Sequence, residues 1–188
     1  MNDTPASSLR AGGRRQLIGT LPKNGIGAEI GVWKGDFSKA LLKDAKPREI
    51  HLIDPWTFRT DYPQRWYGGL KARDQHDMDA MYRRVVARFA NNPQVRIHRL
   101  RSEDALELFP DKYFDWVYID GDHSYAAVLQ DLMFWAAKVT AGGILAGDDY
   151  QWRDETGQLS VARAVRDFAV NSGSCQPELW SGQFKFQL

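Results

Sequence analysis

Acidic and histidine side chains follow two apolar segments in the second half of the chain. Asp120 and His123 come after the first segment, and Asp148 and Asp149 follow the second. If both segments are parallel strands, their carboxyl ends meet at one edge of a sheet and bring the three carboxylates together. Clustered carboxylates repel unless a cation neutralises them, and oxygen ligands suit Mg²⁺ better than zinc. We therefore predict a divalent cation, magnesium by this reasoning, on Asp120, Asp148 and Asp149.

His123 lies three residues after Asp120. An ordinary histidine pKa near ~6.5 suits proton abstraction around neutral pH. The alternative is a packed or surface histidine without a chemical role. Beside the cluster of carboxylates we favour a general base, whereas Asp122 and Ser124 are better explained as caps of the helix that starts near Tyr125.

A glycine turn follows the first apolar segment, in the order Glu29, Gly31, Val32, Trp33 and Gly35. The spacing is G-x-x-x-G, so the G-x-G-x-x-G pattern that holds a dinucleotide pyrophosphate is not met. The carboxylate of Glu29 would repel a phosphate and attract an ammonium or sulfonium group. These residues predict a site for a cationic, nucleotide-like ligand, and a plain turn between strand and helix is the alternative.

Two further loops reach the same crevice. Asp54 ends the second apolar segment 19 residues after Gly35, where an acidic side chain typically binds ribose hydroxyls. Pro55 follows it and no helix begins there, which favours a binding role over a cap. After the third segment, Ser102 and Glu103 either cap the next helix or face the ligand, and both roles are compatible.

Short apolar runs alternate with helical spacing along most of the chain. The strands are predicted at 28–32, 50–53, 95–100, 116–119 and 144–146, and the helices at 37–45, 72–90, 103–109, 125–139 and 159–171. This order predicts an α/β fold, a Rossmann-like, doubly wound and mostly parallel sheet. Residues 177–180 and 183–188 flank Ser181-Gly182, a two-residue turn suited to an antiparallel hairpin.

Composition limits the classes of protein. The chain has 188 residues, close to one domain, and a net charge of +1 that argues against nucleic acid as a partner. One cysteine and the lack of a long apolar run predict a cytoplasmic protein away from membranes. Residues 1–24 are predicted as an arm on a domain of residues 25–188. Its helical part, 9–21, could dock on a neighbouring copy, which would make a homo-oligomer.

Four motifs together carry a resemblance. They are E-I-G-V-x-x-G from Glu29, D-P-W from Asp54, I-D-G-D-H-S-Y from Ile119 and G-G-I-L-x-G-D-D-Y from Gly142. The chain resembles class I S-adenosylmethionine-dependent methyltransferases over residues 25–188. Within that class it is similar to the small-molecule branch of macrocin- and mycinamicin-type sugar O-methyltransferases and, more distantly, to catechol O-methyltransferase. The resemblance implies a seven-stranded sheet with an antiparallel last strand, and S-adenosylmethionine as cofactor.

The resemblance also implies roles for particular residues. Glu29 and Gly31 would face the methionine part of the cofactor, and the loop residues Val32, Trp33 and Gly35 would also bind the cofactor. Asp54 would face the ribose, Ser102 and Glu103 the adenine, and Asp120 would lie at both cofactor and metal. The metal would bind two vicinal oxygens of a small-molecule acceptor, a sugar or catechol-like diol, and His123 would take the hydroxyl proton.

The seven tryptophans are many for this length, and four of them fall after strand ends or in a loop. Trp33, Trp56, Trp66 and Trp152 are therefore predicted on the rim of the ligand site, with 56–82 holding a lid over the acceptor. Three other functions stay open. They are an NAD-dependent oxidoreductase, a nucleic-acid methyltransferase, which would normally carry a D-P-P-Y-like motif after the fourth strand, and a non-catalytic nucleotide-binding module.

Overall fold

The structure is a computed structural model that describes residues 5–60, 72–173 and 176–188, with side chains from Gly12 onward. The strands are β1 (Ile26–Ile30), β2 (Glu49–Ile53), β3 (Val95–His98), β4 (Phe114–Ile119), β5 (Val139–Gly147), β6 (Glu178–Trp180) and β7 (Gln183–Gln187). The helices are α1 (Pro5–Thr20), α2 (Asp36–Ala40), α3 (Gln75–Phe89), α4 (Ser102–Ala105), α5 (Tyr125–Lys138) and α6 (Ser160–Ser172). The predicted Rossmann-like α/β fold is thereby confirmed.

All seven strands form one sheet in the order β3-β2-β1-β4-β5-β7-β6. Strands β1 to β5 are parallel, and β7 runs antiparallel between β5 and β6. The order reverses direction between β1 and β4, so the loops after these two strands diverge to opposite faces and leave a crevice at the carboxyl edge. The hairpin at Ser181-Gly182 is present as predicted.

Side chains of successive strand residues point to opposite faces, and each face has its own apolar core. In β4, Trp116 packs with α1, α2 and α3, whereas Val117 packs with α5 and α6. Gly27 on β1 makes room for Trp116, because a Cβ there would lie 2.0 Å from the indole Cζ2. Both faces of the sheet are therefore covered by helices, which explains the continuous apolar strands.

Several element boundaries differ from the predicted ones. In the helix predicted at 37–45, the α-helical part ends at Ala40, and the wider π-helical turn Leu41–Ala45 follows it. The helix predicted at 103–109 is one turn, Ser102–Ala105, followed by the tighter turn Leu106–Leu108. Strand β5 starts at Val139, earlier than predicted, because Val139 pairs with Phe114 of β4; the register then shifts, and pairing resumes between Trp116 and Ile144.

The predicted arm is helix α1, and it packs on its own chain. Leu17, Ile18 and Leu21 are buried among residues of α2 and α3, and Gly13 lies against Ser181 in the hairpin turn. Docking on a neighbouring copy is not needed to bury this apolar face. Among the described residues, none of the helices has the length and apolar character to cross a membrane.

Candidate active site

The glycine loop after β1 is held against β2 by Asp54. The Asp54 carboxylate accepts hydrogen bonds from the backbone N–H of Val32 (3.0 Å), Trp33 (2.9 Å) and Trp56 (2.7 Å). Asp54 is buried, so these charge-assisted bonds are worth more than exposed ones. The contacts that the structure shows for Asp54 are structural, and a contact with a ribose stays a prediction.

Gly31 has a φ of 90°, and a Cβ there would lie 2.1 Å from the backbone oxygen of Asp120. Gly35 has a φ of 73° and lies against the ring of Phe89. Only glycine adopts such conformations without strain at so close an approach. Gly31 thus lets the loop after β1 lie against the end of β4, where the Asp120 N–H donates to the Ile30 carbonyl (2.7 Å).

Glu29 is the acidic residue beside this loop. It is buried and accepts a hydrogen bond from the Ser38 hydroxyl. Burial raises the pKa of Glu29 to about 8, against the opposing effect of the Ser38 hydrogen bond. A carboxyl group in this state gains most from a cationic neighbour, because a positive charge would favour its ionised form.

Arg14, from helix α1, enters the acidic cluster. Its Nη2 lies 2.6 Å from Asp120 Oδ2 and also contacts Asp148 Oδ2, and its Nε donates to Asp148 Oδ2 at 2.8 Å. The guanidinium lies 4.8 Å from the centroid of the Phe37 ring. The chain therefore supplies its own cation to two of the three clustered carboxylates.

Asp148 has further partners on its other oxygen. Oδ1 accepts from the backbone N–H of Asp149 (2.7 Å) and from the side-chain amide of Gln183 on β7. The Tyr118 hydroxyl donates to Gln183 Oε1 (2.8 Å), which fixes the direction in which the amide points. The carboxylate of Asp148 is thus hydrogen-bonded through both of its oxygens.

His123 faces Asp149 and the second oxygen of Asp120. Its Nε2 lies 3.4 Å from Asp120 Oδ1 and 3.2 Å from Asp149 Oδ2, and its ring centroid is 4.7 Å from that of Trp152. Burial acts to lower the pKa of His123, but the hydrogen bond to Asp120 and the charges of Asp149, Asp120 and Asp148 outweigh it and raise that pKa. Ser160 fixes the backbone by donating to the His123 carbonyl (2.8 Å).

A divalent cation on Asp120, Asp148 and Asp149 does not fit this geometry. The guanidinium of Arg14 lies between Asp120 and Asp148, and both oxygens of Asp148 have protein donors. Within the described part of the chain, one group of three side chains could hold a metal ion together: Asp120, His123 and Asp149. One ligand atom from each of them lies within 4.8 Å of the other two. The ligand set predicted from the sequence is therefore not the set that the fold brings together.

Ser102 and Glu103 begin α4, at the carboxyl end of β3. Ser102 donates to Asp131 Oδ1 on α5 and accepts from Trp135 Nε1 (2.7 Å). No sequence pattern marked Asp131, which lies inside the largely apolar helix α5. Burial raises the pKa of Asp131 to about 7, the Ser102 hydrogen bond opposes this, and the charges of Glu103 and Asp122 add to it.

The predicted aromatic rim is only partly present. Trp56 is fully buried, and its Nε1 donates to the Trp33 carbonyl (2.8 Å), so its place on the rim was wrong. Its position after a strand end carried no information about the direction of the side chain. Trp152 packs on His123 as a rim residue would. Trp66 and the other residues of 61–71 in the predicted lid lie outside the described residues.

Residues 28–150 match the family described as a methyltransferase domain. No curated protein matches the chain in sequence. The chain is similar in structure to the N-methyltransferase NodS from Bradyrhizobium japonicum WM9, with a TM-score of 0.64 and 16% identity over 100% of this chain and 98% of that one.

Two other solved structures are also similar. Cofactor-bound Rv0187 from MTB gives a TM-score of 0.59 and 15% identity over 100% of this chain and 80% of that one. An O-methyltransferase family protein from Burkholderia thailandensis gives 0.58 and 11% identity, with 98% of this chain covering 57% of that one. At these identities the structural likeness shows the fold alone.

The sheet order, the antiparallel β7 and the glycine loop after β1 define the class I methyltransferase fold. The family match covers most of the chain, and the chain belongs to the methyltransferase domain family. It is an S-adenosylmethionine-dependent methyltransferase.

Proposed function

We propose that this enzyme methylates a hydroxyl group of a small molecule, a sugar or a catechol-like diol, with His123 as general base. The observation that carries the proposal is the position of His123 Nε2 between Asp120 Oδ1 (3.4 Å) and Asp149 Oδ2 (3.2 Å). A hydroxyl that keeps its proton is a poor nucleophile, so a base that removes the proton favours O-methylation.

The two carboxylates orient the imidazole. In the neutral ring a proton on Nε2 points to Asp120 and Asp149, which leaves the lone pair on Nδ1 to accept the proton of the acceptor hydroxyl. Asp120 and Asp149 then stabilise the imidazolium that results. The same division of labour, a base oriented by a carboxylate, operates in other enzymes that activate a hydroxyl.

S-adenosylmethionine supplies, when bound, an electrophilic methyl group on a sulfonium sulfur. We propose that Glu29, Gly31, Val32, Trp33 and Gly35 hold its methionine part, with Asp54 near the ribose, Ser102 and Glu103 near the adenine and Asp120 beside the sulfonium. Because the base is recessed, with 19% of its side chain exposed, the acceptor has to present a small group to it. This supports a small-molecule acceptor.

The proposed reaction does not use the divalent cation expected from the sequence, because Arg14 already lies between Asp120 and Asp148. We also place the enzyme in the reducing cytoplasm, since a single cysteine, Cys175, leaves no internal disulfide to form.

The test is a methyl-transfer assay with S-adenosylmethionine and a panel of sugars, catechols and simple alcohols, with S-adenosylhomocysteine measured by mass spectrometry. The wild-type protein is expected to methylate at least one hydroxyl of the panel, and His123→Gln to lose that activity. His76→Gln is the matched control, because His76 is an exposed histidine on α3. Product methylated on nitrogen or carbon instead of oxygen would overturn the proposal.

A further inference from the structure

Arg14 occupies a site that is built for a guanidinium. Nε and Nη2 both donate to Asp148 Oδ2, and Nη2 also donates to Asp120 Oδ2 (2.6 Å). The ring of Phe37 lies 4.8 Å from the guanidinium carbon. A planar guanidinium stacks on an aromatic ring, whereas a hydrated magnesium ion gains little from such a neighbour.

The residues around Arg14 are themselves fixed. The side chain of Asp148 is 1% exposed, and the chain of hydrogen bonds from Tyr118 through Gln183 holds its second oxygen. On the other side, Arg14 is carried by α1, where Leu17 and Ile18 are buried in the core. Removing Arg14 from the cluster would therefore uncover two carboxylates and disturb a packed helix.

We propose that Arg14 is the permanent counter-cation of Asp120 and Asp148, in the place where the sequence predicts a divalent metal, and that it positions Asp120 against His123. The inference rests on the proposed active site, but concerns its cation and not its acceptor. Asp120 shares its two oxygens between Arg14 and His123, so Arg14 is a positioning residue that acts through Asp120.

This assignment also bears on the acceptor. A metal that binds two vicinal oxygens would require a diol, whereas a site organised by Arg14 and His123 needs only one hydroxyl. Simple alcohols of the same shape as an accepted diol should therefore be methylated too.

The direct test is Mn²⁺ binding to the full-length protein after treatment with EDTA, measured from the electron paramagnetic resonance signal of free Mn²⁺. Wild-type protein is expected to bind the ion weakly. Arg14→Met removes one positive charge next to two carboxylates, so Mn²⁺ should bind at least about tenfold more tightly. Arg15→Met is the control, because Arg15 is an exposed neighbour on the same helix, and it should bind Mn²⁺ as the wild type does.

Circular dichroism establishes whether Arg14→Met is folded. If Arg14→Met is not folded, the melting temperatures of Arg14→Lys and of the wild type are measured with and without millimolar Mn²⁺. Lysine keeps the positive charge, so the ion should not raise the melting temperature of either protein. Tight binding of one Mn²⁺ by the wild type would overturn the proposal, and so would a folded Arg14→Met without increased affinity. These results do not depend on an acceptor, so they stay distinct from a failure of the methyl-transfer assay.

Discussion

The carboxylate of Asp54 accepts the backbone N–H of Trp33 at 2.9 Å, which ties the glycine loop after β1 to the end of β2. Val32 and Trp56 donate to the same carboxylate. From the sequence, Asp54 was expected to bind the ribose of the ligand. In the structure its carboxylate also accepts hydrogen bonds from backbone N–H groups of the glycine loop. Effects of its removal on cofactor binding have to be separated from effects on the loop.

Asp54→Ala should lower the free energy of unfolding by about 2 kcal/mol or more, because it leaves buried N–H groups without an acceptor. Asp54→Asn keeps one carbonyl oxygen and should cost less. Urea unfolding measures both, and calorimetry gives the affinity for S-adenosylmethionine. If Asp54→Asn keeps stability and loses affinity, the ribose contact is supported; if it keeps both, that contact is excluded.

Gly31→Ala should destabilise the protein and displace Asp120. The new Cβ would lie 2.1 Å from the Asp120 carbonyl oxygen at a φ of 90°, so strain and overlap together should cost at least about 2 kcal/mol. Gly19→Ala is the matched control, since no atom lies within 4 Å of a Cβ there and it is in helix α1. That change should be neutral or stabilising by up to about 1 kcal/mol. Equal melting temperatures of the two variants would contradict the close approach.

His123→Gln should reduce turnover by about a hundredfold or more, the usual contribution of a general base, with little change in the affinity for S-adenosylmethionine. The ring contacts Asp120 and Asp149, and the cofactor is expected on the glycine loop. Turnover comes from the methyl-transfer assay and affinity from calorimetry. A parallel loss of both would indicate that His123 shapes the cofactor site instead of acting on the hydroxyl.

Asp131 should make the protein less stable as the pH rises. Its pKa is about 7 in the folded protein and 3.8 is the ordinary value, so between these pH values the folded state holds a proton that the unfolded state has released. Stability from this group is fully present below pH 3.8, is lost as the pH rises to about 7, and changes no further above that pH. The effect is of order 1.4 kcal/mol for each pKa unit.

Asp131→Asn removes this titration while its side-chain oxygen can still accept from Ser102. Urea unfolding at pH 5 and about pH 8 should show a smaller loss of stability at the higher pH in Asp131→Asn than in the wild type. Asp104→Asn serves as a control, because Asp104 is exposed on the neighbouring α4. An unchanged pH dependence in Asp131→Asn would show that this carboxyl does not carry the effect.

Local patterns were sufficient for the elements of the sheet. The strands β1, β2 and β4 are mostly apolar and buried, so hydrophobicity alone located them to within about two residues. Boundaries that depend on backbone pairing were less accurate. The start of β5 at Val139 and the single turn of α4 follow from contacts with β4 and α5, which apolar spacing does not encode.

The fold class and the loops that meet at the crevice could be predicted from the sequence, because strand order and glycine spacing place Glu29, Asp54, Asp120 and His123 at one edge. Which charges meet there depends on how the whole chain packs. Arg14 is 106 residues from Asp120 and 134 from Asp148, and no local pattern in α1 marks it. Trp56 likewise turns into the core. Side-chain direction and long-range charge pairing arise from packing, and packing is decided by the whole chain at once.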